Sequence, residues 1–430
     1  LALALARVLA RGLARIVGTG VTRVSKRSGR TPTELMREAL GEALAQASLQ
    51  LRDLDGLVAV PSLSHPHFLE GHHFATKAGL LPRDDVVVRT LDTGGAGPVT
   101  ALLEAKRMIE CESRQAVAIV AGDAVGGMDS AAFLERADVG CQPSDGVTGS
   151  SPDFLPTPVI PHGYSRCTRY HMERFGTTRE QLAMVSVLMS RQAARHPKAV
   201  TRSPRTLEDV LQAPTIAPAV GLLECARRAD GGAAIIVASS RYLESRGLAS
   251  KGNGGSGDVV VLGGGEASGP LYPPPAIDEQ MFSCETAVRK AFEACELGPG
   301  DIDFFGLYDC FPICFVRAVE AVGLAPKGRG GDWVEARYRE SEEAGGAVSS
   351  ELFPVNTHGG LLAFGAPWEV PAMYSLYEAV QQLRWTAGER QVPQARRALV
   401  YGNGGIFSAS AVALLERAAD DNASPPSARL

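Results

Sequence analysis

The sequence predicts an α/β protein built on a parallel, helix-covered sheet. Three observations predict it. Strand and helix patterns alternate along the chain. VVVRTLDTGGAGPVTALLEAKRMI (86–109) runs from a β-branched strand through a glycine-rich turn into a helix with apolar residues at helical spacing. The same layout of acidic lead-in, apolar strand, tight turn and helix returns in DIDFFGLYDCFPICFVRAVEAVGL (301–324). With 430 residues, 45% apolar and 21% charged, the chain can bury a large core over two or three domains.

RIVGTGVTRV (15–24) reads as the first strand. TPTELMREALGEALAQASL (31–49) reads as an amphipathic helix, with Thr31 as N-cap, Pro32 at the first helical position and Glu34 closing a capping box. LDGLVAV (54–60) and AVAIVAGDAV (116–125) are strands on either side of the opening unit. Residues 126–229 turn rich in Pro, Arg, Ser and Thr, with helices near 164–175 and 178–196, and read as an insertion before the strand DGGAAIIVASS (230–240). KGNGGSGD (251–258) reads as a flexible link. Beyond it, ALVYGNGG (398–405) and SASAVALLE (408–416) parallel the strands of the first half, so the chain carries an internal duplication. GGGEASG (263–269) has no Lys-Ser/Thr after it and reads as a turn. The last stretch, 419–430, reads as a disordered tail.

Composition excludes several function classes. The net charge of −5 gives no general reason to bind nucleic acid. No apolar run reaches the roughly 18 residues of a membrane span. The eight cysteines are scattered and contain no CxxC pair, which argues against both a disulfide scaffold and a structural zinc site and favours a reducing compartment. His65, His67, His72 and His73 cluster with Glu70, but Pro66 and Gly71 place them in a loop without HExxH order, so no metal is expected. The first acid is Glu34, and Arg7, Arg11 and Arg15 recur on an otherwise apolar face. Residues 1–14 therefore read as a mitochondrial targeting segment; the C-terminal ARL, a loose peroxisomal echo, leaves a peroxisome, glycosome or the cytoplasm as alternatives.

Taken in order, RYHMERFGTTREQLAMVSVLMSRQAARHPKA (169–199), DGGAA (230–234), YDCF (308–311), NTHGGLLAFGAP (356–367) and YGNGG (401–405) resemble the thiolases, most closely the sterol carrier protein thiolase branch. The YDCF form is similar to the thiolase-like proteins of trypanosomatid parasites. The likeness runs from about residue 15 to 417. It implies a thiolase fold: two duplicated βαβαβαββ halves in a layered α-β-α-β-α core. The N-terminal half would span 15–125 and 230–257, and the C-terminal half 258–418. The loop domain at 126–229 would carry the coenzyme A site and dimer-related contacts. It further implies an acyl-CoA thioester as ligand, no other cofactor, no metal and a homodimer.

The resemblance also maps site residues, and this sequence departs from it. The thiolase nucleophile, a cysteine on the first strand–helix turn, aligns with Gly95, which cannot form a thioester and leaves room where the sulfur would sit. The His-Asp-Cys-Phe loop becomes Tyr308-Asp309-Cys310-Phe311, so a hydrogen-bond donor without imidazolium charge replaces the histidine. Cys310 occupies the acid/base thiol position near a helix N-terminus, with plain packing an equal alternative. The Gly-His-Pro loop becomes Gly365-Ala366-Pro367, with His358 upstream as a substitute. The fourth loop aligns with Tyr401-Gly402-Asn403, where the backbone N–H of Asn403 would join that of Gly95 in an oxyanion hole. Tyr308 and Tyr401 read equally as aromatic wedges. Arg166, Arg169 and Arg174 face the coenzyme A phosphates on this reading. The implied function is acyl-CoA binding with weak non-covalent chemistry on malonyl-CoA or a 3-oxoacyl-CoA in lipid metabolism. The alternatives are a non-catalytic acyl-CoA sensor and a structural partner of another lipid enzyme.

Overall fold

The computed structural model describes residues 12–141, 155–248, 258–271, 273–274 and 276–418. The targeting segment, except its last residues, the glycine-rich link up to residue 257 and the tail expected to be disordered lie outside them. In chain order the elements are β1 (Ala14–Val21), α1 (Pro32–Ala47), β2 (Gly56–Ala59), α2 (Glu70–Ala78), β3 (Val87–Thr90), α3 (Gly97–Glu112), β4 (Ala116–Ala124), α4 (Ser130–Cys141), α5 (Val159–Phe175), α6 (Arg179–Ala194), α7 (Leu207–Leu211), β5 (Thr215–Ala217), β6 (Val220–Gly221), β7 (Asp230–Ser239), α8 (Ser240–Ser245), β8 (Val259–Ser268), α9 (Ser283–Cys295), β9 (Phe304–Leu307), α10 (Pro312–Ala321), α11 (Gly330–Glu343), α12 (Pro371–Leu383), β10 (Arg397–Gly404) and β11 (Ala409–Arg417). The capping box at Thr31 forms as its sequence requires: the hydroxyl accepts from the Glu34 N–H, and the Glu34 carboxylate accepts from the Thr31 N–H at 2.8 Å.

The large sheet runs β3-β2-β4-β7-β1-β8-β11-β10-β9. From its centre outward it repeats. β1–β7 and β7–β4 are antiparallel and β4–β2 parallel; β8–β11 and β11–β10 are antiparallel and β10–β9 parallel. β1 and β8 meet antiparallel in the middle, Arg15 opposite Val260. The sheet is thus mixed rather than parallel. Helical crossovers keep β2, β3 and β4 parallel, but β7 enters from the long excursion 125–229 and returns against β4.

Helices α3 and α12 lie between the two sheet halves. α3 packs on β4 and β7 of one and on β10 and β11 of the other. α1 covers the outer face of β1, β7 and β4, and α9 that of β8 and β11, which completes the α-β-α-β-α layering. Buried on both faces, α3 is built from small and apolar residues (Val99, Ala101, Leu102, Ala105, Met108, Ile109) that take no solvent contact.

Three readings change in three dimensions. The layout echo between 86–109 and 301–324 does not mark equivalent positions. β9 pairs with β10 as β2 pairs with β4, so the second-half counterpart of β3 is only the bridge at Val355, parallel to Phe305. GGGEASG is strand rather than turn: a Cβ on Gly265 would strike the Ala287 carbonyl of α9, and one on Gly264 the Val412 carbonyl of β11. These glycines let a helix and a strand approach closely, which sequence punctuation cannot distinguish from a turn. Finally, the histidine cluster is loop only to Leu69; His72 and His73 ride on α2, and His73 stacks on His67 at 3.5 Å.

Candidate active site

Four loops converge at the inner ends of these strands. The first, between β3 and α3, is tightened by its own backbone: the Gly97 N–H donates to the Gly94 carbonyl at 2.7 Å, and the Gly94 N–H to the Asp92 carboxylate at 3.3 Å. Gly94 needs its glycine, with φ of +58°. The Gly95 N–H, buried at the α3 N-terminus, donates to no group among the described residues. The fourth loop presses backbone to backbone on the first. A Cβ on Gly402 would stand 3.0 Å from the Ala96 Cα, and one on Gly404 would overlap the Thr93 carbonyl.

The second loop decides the character of the site. Tyr308 is buried at the end of β9, and its hydroxyl hangs over Gly95: a Cβ added to Gly95 would stand 2.0 Å from Tyr308 Oη and 2.5 Å from the Asn403 carbonyl oxygen. The space at Gly95 is therefore not empty, as the sequence suggested, but filled by the Tyr308 hydroxyl. A side chain at 95 and Tyr308 in this place exclude each other. Burial first, then the neighbouring Cys310, Cys314, Glu369 and Asp309, hold the phenol well above its ordinary range, so it stays a neutral donor. Asp309 is fully buried and accepts from the Leu361 N–H at 2.8 Å and the Leu362 N–H at 3.4 Å, tying the second loop to the third. Burial pushes its carboxyl up to about 7. The half-buried Cys310 thiol lies near Tyr164 and Cys314, just before α10.

In the fourth loop, Asn403 Nδ2 donates to Tyr164 Oη at 2.7 Å, Tyr401 Oη donates to Asn403 Oδ1 at 3.0 Å, and Tyr164 Oη donates to the Gly405 carbonyl at 2.8 Å. Tyr164 comes from α5, stacks on Phe311 at 4.4 Å, and so pins loops two and four together. Tyr401 is a buried wedge with a satisfied hydroxyl.

The third loop is anchored by Asn356, whose side chain bonds both the N–H and the C=O of Leu307. His358 does not turn toward Gly95. It is buried beside Glu378 and Arg390 and packs edge-on against Phe364 at 5.3 Å, and burial lowers its imidazole to about 4. None of these neighbours belongs to the first, second or fourth loop. Of the three arginines on α5, Arg166 donates to the Pro273 carbonyl at 3.1 Å, Arg169 sits exposed 3.6 Å from Glu173, and Arg174 lies over the Phe175 ring at 6.0 Å. The structure thus brings Gly95, Tyr308, Cys310 and Asn403 together and sets His358 and the arginines apart from them. Sequence reasoning missed Tyr164 and Glu369. Nothing in periodicity marks Tyr164; Glu369 carries one signal, an acid between the GAP motif and the helix-opening Pro371. Among the described residues, no group of three or more His, Cys, Asp or Glu is placed to hold a metal ion, and no helix is long and apolar enough to cross a membrane.

Residues 277–417 match the family described as thiolase C-terminal domain-like. An acetyl-CoA acetyltransferase of Methanothermobacter thermautotrophicus is 29% identical over 416 residues, 94% of this chain and 99% of that one. Human sterol carrier protein 2 is 30% identical over 264 residues, 60% of this chain, and this match spans 45% of the human protein. By these likenesses the chain is thiolase-like, with relatives that include the sterol carrier protein thiolases. The same fold recurs in a solved Ltp2-ChsH2(DUF35) aldolase (TM-score 0.76, 23% identity, 95% of this chain and 99% of that one). It recurs also in a monomeric SCP2-thiolase like protein type 1 of Mycobacterium smegmatis (TM-score 0.68, 19% identity, 96% and 79%). Within this thiolase-like chain, the turn before α3 gives the side-chain space at Gly95 to a tyrosine from the other half.

Proposed function

We propose that this chain binds an acyl-CoA thioester and performs enolate chemistry without a covalent acyl-enzyme, decarboxylating malonyl-CoA or, failing that, acting on a 3-oxoacyl-CoA. The placement of Tyr308 Oη over Gly95 carries the reading. Thiolysis or Claisen condensation through an acyl-enzyme needs a nucleophile at this point, and losing one costs on the order of 10⁶-fold in rate. Decarboxylation needs only a bound thioester and donors for the enolate oxygen. The Gly95 N–H and the neutral Tyr308 hydroxyl are two such donors, each worth roughly 3–4 kcal/mol when aimed at the developing charge. Arg169 and Arg174, exposed on α5, are offered to the coenzyme A phosphates, and a homodimer in mitochondria is the setting the sequence favours.

Calorimetric titration with malonyl-CoA, acetoacetyl-CoA and free CoA, with acetyl-CoA followed by chromatography, tests this. Malonyl-CoA binding with slow acetyl-CoA release is the expected result. Binding without product leaves an acyl-CoA sensor. No binding of any of the three overturns both.

A further inference from the structure

One carboxyl group at this site is unused by that reading. Glu369 follows the Gly365-Ala366-Pro367 segment and precedes Pro371, the first residue of α12. Its Oε2 is buried and has no hydrogen-bond partner among the described residues. The same oxygen lies 3.9 Å from where a Cβ on Gly97, the first residue of α3, would stand. Gly97 is two residues from Gly95, so the oxygen sits at the helix N-terminus that carries the free Gly95 N–H. Glu369 is also close enough to Tyr308 to raise its phenol. The groups facing Glu369 are Asp92 from the first turn, Asp123 from the end of β4, Tyr308 and the Trp368 indole. Burial pushes its carboxyl well above the usual range, Asp92 and Asp123 push it further, and the Trp368 N–H opposes them weakly. A buried oxygen with no partner, at a helix end where a ligand's charge is to develop, is a group with its hydrogen-bonding capacity unspent.

We infer that Glu369 is the catalytic acid of this site, giving its carboxyl proton to the α-carbon of the enolate formed from the bound thioester. The inference rests on the enolate reading above. The bond between the malonyl carboxylate and the α-carbon breaks, carbon dioxide leaves, and the electron pair forms the enolate. The enolate oxygen takes hydrogen bonds from the Gly95 N–H and Tyr308 Oη. The Glu369 proton then moves to the α-carbon, the thioester carbonyl re-forms as acetyl-CoA, and the Glu369 carboxylate recovers a proton from water. One malonyl thioester and one proton become one acetyl thioester and carbon dioxide.

The test compares the parent chain, Glu369→Gln and Glu369→Asp for malonyl-CoA affinity, melting temperature and acetyl-CoA release across pH. Glu369→Gln is expected to lower turnover by roughly 10²- to 10⁴-fold, with affinity and melting temperature unchanged and with the high-pH fall of the parent's rate gone. Glu369→Asp is expected to recover part of the rate. A Glu369→Gln chain that turns over like its parent overturns the assignment and leaves the enolate reading standing. So does a rate loss matched by equal losses of affinity and stability. A parent chain that binds malonyl-CoA and never releases acetyl-CoA overturns the enolate reading itself, and this assignment with it.

Discussion

The turn before α3 and the loop before α10 face each other, and they are built in opposite ways. The first, Asp92 to Gly97, offers backbone: a left-handed Gly94, a Gly95 N–H without an acceptor among the described residues, and no side chain at its tip. The second, Tyr308 to Phe311, offers side chains: a phenol, a buried carboxyl, a thiol and a ring stacked on Tyr164. Where one gives up volume the other takes it, because Tyr308 Oη occupies the place of a Gly95 side chain. Close packing explains the pairing: an interior does not leave a gap of that size unfilled, and a change in one half is legible only beside the other. The turn contributes backbone at this point, and the loop contributes the polar side chain.

Removing the phenol oxygen strikes this contrast hardest. Tyr308→Phe is expected to lower malonyl-CoA turnover by about 10²- to 10³-fold, about 2.7–4 kcal/mol, with folding stability little changed; unchanged turnover would reduce Tyr308 to a wedge. Placing a cysteine at residue 95 comes next. Gly95→Cys alone is expected to destabilise by about 1–3 kcal/mol and to form no acyl-enzyme, because its Cβ meets Tyr308. Gly95→Cys with Tyr308→His removes the overlap with the phenol and leaves the 2.5 Å approach of the new Cβ to the Asn403 carbonyl oxygen. Mass spectrometry after acetyl-CoA exposure and urea unfolding read both, and an acylated, stable single variant would break the pairing.

The third loop sharpens the comparison from outside it. Burial lowers His196 to about 3 and His358 to about 4, so both stay neutral when folded, while the unfolded chain protonates them near 6.5. Asp309, raised from 3.8 to about 7, acts in the opposite sense and takes up a proton on folding. Glu369, whose carboxyl burial also raises, acts in the same sense as Asp309, so the buried carboxyls oppose the histidines. His358 by itself contributes a loss of stability on acidification between about pH 4.5 and 6, at up to about 1.4 kcal/mol per pH unit. His358→Gln should remove that contribution in urea unfolding, and an unaltered pH dependence would remove His358 from the account. The smallest effect is expected at the fourth loop. Asn403→Ala deletes the bonds to Tyr164 and Tyr401, both of which keep another partner, and should cost about 1 kcal/mol in the same assay.

Much of the fold was legible because it rests on local chemistry. The Thr31 cap, the strand at 116–124 and the helix after Gly97 follow from capping groups, β-branched runs and apolar spacing within a few residues. The convergence of Gly95, Tyr308, Cys310 and Asn403 was legible only through family likeness, since these residues lie as far apart as Gly95 and Asn403 along the chain. The glycines of 263–265 misled because their reason is an approaching helix and strand, not a local turn.

By itself the sequence determined most of the elements, the duplication and the absence of a nucleophilic side chain at residue 95. Only the tertiary structure decided what fills that place, where His358 goes, and that Glu369 Oε2 lies at the α3 N-terminus without a partner among the described residues. The physical reason is range: secondary structure is set by neighbours along the chain, whereas exclusion of one side chain by another is set across a packed core.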